Sequence, residues 1–164
     1  MSDVQGDAPL VPIRLEQLPL RVLARAQEHG DGLTREFALI ATSMSSDSVP
    51  LRLQQLSEQL RSQYATYTED TQRQIDEALD RGDQTIDAMF KVPTTVVDAC
   101  LVLNRMLDEA DDFCRSGDLL TLATPDDLVR FRRWYLGEFV RQVNGGAPVP
   151  WPHYGDDWPP SNQE

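Results

Sequence analysis

The sequence predicts an all-α protein: a helical bundle of four or more helices carrying an extended, proline-rich C-terminal tail. Three observations predict it. Apolar residues recur at helical spacing through most of the chain. Proline and glycine signals punctuate that pattern at plausible helix ends. No run alternates with period two for long enough to make a sheet. The 164 residues, 40% hydrophobic and 26% charged, suit one domain of ordinary size.

The order of elements follows from these signals. Residues 1–12 are polar or proline-bearing and read as a flexible N-terminus, and 13–144 form the bundle. Pro19 suits a first helical turn. Beyond it Leu20, Leu23, Gln27, Gly30, Phe37, Ile40 and Met44 keep a nearly helical stripe. Gly30-Asp31-Gly32 interrupts the stripe, so 19–44 is either two helices or, as favoured, one long helix packed closely at the glycines. After a serine-rich turn at 43–48, Pro50 opens a segment with Leu53, Leu56, Leu60 and Tyr64 on one face. A shorter helix over 71–81 carries Ile75, Ala78 and Leu79 and ends at Gly82. Residues 83–92 are compatible with helix or extended chain.

The clearest helix covers 94–115, with Val96, Cys100, Leu103, Leu107, Ala110 and Cys114 in one stripe. An apolar connection, Leu119-Leu120-Thr121-Leu122-Ala123, leads to Thr124, a candidate cap, and to Pro125 at a first helical position. The last helix runs to about 143, with Leu128, Phe131, Tyr135, Phe139 and Val143 inward, and Asn144-Gly145-Gly146 ends it. Residues 145–164 hold five prolines and three glycines and form the tail.

Composition narrows the function classes. A formal charge of -12 opposes non-specific binding to nucleic acid or to anionic membrane. No stretch approaches the ~20 apolar residues of a membrane helix. The start, MSDVQGDAPL, has no positive n-region or hydrophobic core, and two cysteines cannot build a disulfide framework. Together these predict a cytoplasmic protein. Fourteen of 15 basic residues are Arg, a bias expected of a GC-rich bacterial genome.

Catalytic chemistry finds little support. Neither His29 nor His153 has a Glu three residues before it, as a di-iron bundle needs. Cys100 and Cys114 lack CxxC partners and would lie about 21 Å apart on one helix, so they read as buried hydrophobes. There is no nucleophile elbow and no glycine-rich phosphate loop. The expectation is a non-enzyme with no catalytic residue, cofactor or metal. Phosphotransfer through a mid-helix His29 is an alternative, weakened by Asp31 and by the lack of a nearby Lys.

The acidic groups are the more informative feature. Asp108, Glu109, Asp111 and Asp112 lie in the C-terminal half of a helix, where the dipole disfavours negative charge. They mark either a partner surface or pairing with Arg130, Arg132 and Arg133 on an antiparallel last helix, with Arg115 also in reach of Asp111. Asp76, Glu77, Asp80 and Asp83 form a second acidic face suited to a basic partner. The stretch 130–135 has a basic-aromatic look, but its aromatics mostly face the core. Trp134 falls on the flank of the apolar face, placed to meet the tail or a partner. Trp151, in Pro148-Val149-Pro150-Trp151-Pro152, either folds back on its own domain or docks elsewhere.

Three segments carry a family resemblance. They are Leu33-Thr34-Arg35-Glu36-Phe37-Ala38-Leu39-Ile40-Ala41; Leu107 to Cys114 followed by 119–123; and Phe131 to Gln142 with Pro148 and Trp151 after it. Together they resemble the helical module that accompanies anti-sigma-type ATP-binding and partner-switching signalling proteins of actinobacteria. The resemblance implies a non-catalytic regulatory protein-interaction module in bacterial signal transduction, in an anti-sigma-factor-type circuit. Its partner would be another signalling protein, with a homodimer also open. It implies Asp108, Glu109, Asp111, Asp112, Arg132, Arg133, Trp134 and Tyr135 as the transferable positions. The chain shows no nucleotide-binding asparagine or glycine boxes, so ATP binding is not carried over. The alternative class is a sensory helical domain holding a small ligand in the bundle core, signalled by a cavity near Gly30 and Gly32.

Overall fold

The computed structural model describes residues 9–45, 47–117, 119, 122–156 and 158. Residues 1–8 of the expected flexible N-terminus (1–12), part of the 119–123 connection, and Asp157 and 159–164 of the tail lie outside them. Four helices dominate, joined by a two-stranded sheet: β1 (Leu10–Pro19), α1 (Leu20–Ala41), α2 (Val49–Arg81), β2 (Thr85–Pro93), α3 (Val96–Ser116) and α4 (Asp126–Val143).

The sheet corrects the all-α expectation. β1 and β2 pair antiparallel, with Ile13 opposite Phe90 and Leu15 opposite Ala88. Ile13, Leu15, Leu18, Ala88, Phe90 and Val92 face the core, while Arg14, Asp87, Met89 and Lys91 face solvent. The alternation in 86–92 is therefore a strand signal. In β1 a bulge hides it: Glu16 and Gln17 together oppose Asp87, and Gln17 takes a positive φ of 54°. The Asp87 carboxylate holds the bulge, accepting from the Gln17 backbone N–H at 2.9 Å and from Arg14 at 3.2 Å. β1 also begins at Leu10, inside the stretch expected to be frayed.

Both sheet edges are covered by helices. The Gln142 side chain of α4 bonds the backbone N–H and C=O of Arg14 at 2.8 Å each. Thr71 of α2 donates to the Met89 carbonyl at 2.6 Å. Each helix thus satisfies edge groups that would otherwise invite another strand.

The helices differ from expectation at their joins. α1 passes through Gly30-Asp31-Gly32 without a break, but a Cβ placed at Gly30 meets nothing within 4 Å, so close packing is not the reason for that glycine. α2 is one 33-residue helix, absorbing the separate helix expected at 71–81. It ends at Gly82, whose φ of 78° is left-handed, and Asp83 N–H then reaches the Ala78 carbonyl. Thr124 does not cap α4, because its side chain turns to Asp111.

The core has two centres. The larger packs α2, α3 and α4 onto the sheet around Trp134, the largest fully buried side chain. The smaller joins Leu33 and Phe37 of α1 to Leu53, Met106 and Ala110, with Phe37 edge-on to Phe113 at 5.7 Å. No helix among the described residues is long and apolar enough to cross a membrane.

Candidate functional site

α3 and α4 run antiparallel, and their interface holds a buried polar network. Arg132, only 11% exposed, donates to Asn104 Oδ1 at 3.0 Å, to Asp111 at 3.4 Å and to Asp108. Asp111 is 4% exposed and also accepts from the Thr124 backbone N–H at 2.9 Å and hydroxyl at 2.8 Å. With its proton given to Asp111, the Thr124 oxygen accepts from His29 Nε2 at 3.2 Å. This chain of bonds ties α1, α3, the connection and α4 together.

Of the three arginines expected against the acids, Arg132 alone fills that role among the described residues. Arg130 turns to the tail, donating to the Tyr154 carbonyl and lying 5.1 Å from the Trp151 ring centre. Arg133 faces Asp156 at 3.8 Å, and Arg115 pairs with Asp112 rather than Asp111. Glu109 pairs with Arg52 of α2 at 2.6 Å. All four acids of the cluster thus have cationic neighbours. On the outer side, Asp108, Asp112 and Asp126 border a polar recess of about 460 Å³ with Arg115, Arg130 and Arg133.

The second acidic group sits elsewhere. Arg52 and Asp76 are 24 positions apart on one helix, roughly 36 Å, so the structure does not join the two groups. Asp76 accepts from Gln72 at 3.0 Å, and Asp83 pairs with Arg81 at 3.0 Å. Glu77 and Asp80 are exposed and have no ion-pair partner among the described residues.

Trp134 is fully buried, not on a flank, because residues 147–154 cover that side of α4. Its Nε1 donates to the Val149 carbonyl at 2.8 Å. Buried Glu138 accepts the Val149 N–H at 3.0 Å and is held by Gln142 and Arg141. One residue is thereby gripped on both backbone groups. Trp151 then packs against Phe131 and Trp134, each 5.5 Å away. Sequence reasoning missed Glu138 and Asn104. The available signal was a polar residue interrupting each helix's apolar face.

His29 is half-buried, with Nε2 engaged by Thr124. It borders an apolar cavity of about 370 Å³ that Gly30, Leu103 and Tyr135 also line. Cys100 and Cys114 are free and buried, and burial pushes the Cys100 thiol up to about 12. Compared with protein-family models, with characterised proteins and with solved structures, the chain gave no match.

Proposed function

We propose that this chain is a non-catalytic regulatory module of bacterial signal transduction, docking a basic signalling protein in an anti-sigma-type circuit. The observation that carries this reading is the contrast between the two acidic groups. Asp108, Glu109, Asp111 and Asp112 are ion-paired within the chain, whereas Glu77 and Asp80 are exposed and have no ion pair among the described residues. Opposite charge on a partner would steer its approach to this end of α2. The resemblance of residues 33–41, 107–114 with 119–123, and 131–142 with Pro148 and Trp151 to the actinobacterial signalling module supplies the context. The engagement of His29 Nε2 by Thr124 favours this reading over phosphotransfer.

The test is cross-linking in a bacterial host with two baits. One is the wild-type chain; the other carries Asp76→Lys, Glu77→Lys and Asp80→Lys together. Recovery of a sigma-circuit protein by the first bait and its loss from the second is the expected result. Equal recovery by both, or recovery of no signalling protein, overturns the proposal.

A further inference from the structure

The segment after α4 folds back along that helix as extended chain. The turn Asn144-Gly145-Gly146 reverses the chain, and residues 147–154 then run antiparallel to α4, from Arg141 back to Arg130. Those arginines stand about 17 Å apart along the helix axis, a span that the extended segment covers. Pro150, at φ -60° and ψ 146°, has the polyproline conformation, and a single 3-10 turn follows at Trp151–His153.

One stripe of α4 receives the segment. Arg130, Trp134, Glu138 and Arg141 follow at helical spacing, and their side chains bond its backbone. Arg141 donates to the Ala147 carbonyl at 3.1 Å and Arg130 to the Tyr154 carbonyl, while Glu138 and Trp134 hold the N–H and C=O of Val149. Val149 lies between two prolines, which lack an N–H, so the buried carboxylate meets the one amide donor available there. The Arg130 guanidinium lies 5.1 Å from the ring centre of Trp151 and 5.8 Å from that of Tyr154. Aromatic-lined grooves of this kind are how separate domains take proline-rich peptides.

The link between helix and segment is a turn that glycine makes readily. Gly145 has a left-handed φ of 93°. A Cβ on Gly146 would lie 2.9 Å from the Arg141 carbonyl oxygen, which accepts the Gly146 N–H at 2.8 Å and closes the turn. With the turn opened, the segment leaves its own helix and every groove contact can form again in another molecule.

We infer that this stripe of α4 is a docking groove for an extended Pro-Val-Pro-Trp segment, filled in the monomer by residues 147–154 and exchanged between two copies when the glycine turn opens. A second copy is the occupant because each copy carries the segment that the groove already fits, and the closed and exchanged forms share all contacts except the turn. On so short a link the segment faces its own groove at an effective concentration of about millimolar, so dilute chains stay closed. The inference does not depend on docking of a basic partner at the end of α2.

The experiment replaces both hinge glycines in the full chain, Gly145→Val with Gly146→Val. Mass is measured by light scattering at about 0.15 M salt, which screens repulsion between chains of charge -12. A dimer is expected, with hydrogen exchange at the Val149 N–H as slow as in the wild type, because the groove stays filled. An excess of free peptide spanning 147–154 should return it to monomers, as should the addition of Trp151→Ala. Circular dichroism verifies each fold, and Gly146→Ala replaces the pair if the latter unfolds. Monomers, whether the tail is docked or loose, overturn the inference. So does a dimer that survives both the peptide and Trp151→Ala, since its contact lies elsewhere. Peptide binding by a variant that stays monomeric also overturns the exchange and assigns the groove to a segment of another protein.

Discussion

Replacing Arg132 by Met should be the most damaging single charge change in the chain. The guanidinium is 11% exposed and faces the 4% exposed carboxylate of Asp111. Removing it takes from Asp108 and Asp111 the guanidinium that pairs with both, and Asn104 loses a donor. Breaking a buried pair by deleting one member costs about 3–5 kcal/mol. Asp111 retains two bonds from Thr124, which places the expected loss near the lower limit, about 3 kcal/mol. For a domain of this length that is about 6–12 °C in Tm. The companion variant Arg133→Met should cost under about 1 kcal/mol, because its contact with Asp156 is 3.8 Å and open to solvent. Urea denaturation of both variants, and of Arg132→Met combined with Asp111→Asn, is the assay. The double variant should recover part of the loss, since the stranded charge is gone. A loss under about 1 kcal/mol for Arg132→Met, or an equal loss for Arg133→Met, would refute the reasoning.

Four other outcomes are expected. Gly30→Ala should stabilise the chain by about 1 kcal/mol in thermal melts, because the added methyl meets nothing, while Gly82→Ala should destabilise it by a similar amount at its positive φ. Glu138→Gln should cost about 1–2 kcal/mol and speed hydrogen exchange at Val149, whose N–H the carboxylate accepts. Cys100 should resist a thiol reagent at pH 8 until urea unfolds the chain, since a value of about 12 leaves only about one thiol in ten thousand ionised. The Gln17 N–H and Arg14 hold Asp87, and Arg25 holds Asp127, below the ordinary 3.8. Their stabilisation is therefore present above pH 3.8 and is lost as pH falls through the lowered folded value. Both are about half exposed, so Asp87→Asn and Asp127→Asn should each remove under about 1 kcal/mol at neutral pH and flatten the acid side of a stability-pH curve.

Much of the helical architecture was legible because helix periodicity is local. The stripes at Val96, Cys100 and Ala110, and at Leu128, Phe131 and Phe139, become buried faces as their spacing implies. Gly82 ends α2 because few residues other than glycine accept its backbone angles readily. The sheet was not legible by the same means. Ile86, Ala88, Phe90 and Val92 alternate, but their strand partner lies some 70 residues earlier, with its own alternation broken at Gln17. Nothing local to either segment announces the other.

The sequence by itself determined which stretches carry a helical face, the excess of acid, and the lack of a nucleophile elbow or glycine-rich phosphate loop. Those properties depend on neighbours within one or two turns. Only the tertiary structure decided that Arg132, and neither Arg130 nor Arg133, answers Asp108 and Asp111. Three arginines within four positions point in different directions around α4, and which carboxylate each meets depends on how α3 and the tail pack against it. The same packing decided that Trp134 is buried beneath residues 147–154. Periodicity assigns a side chain to a face of its helix; what lies across from that face is settled by contacts between distant parts of the chain.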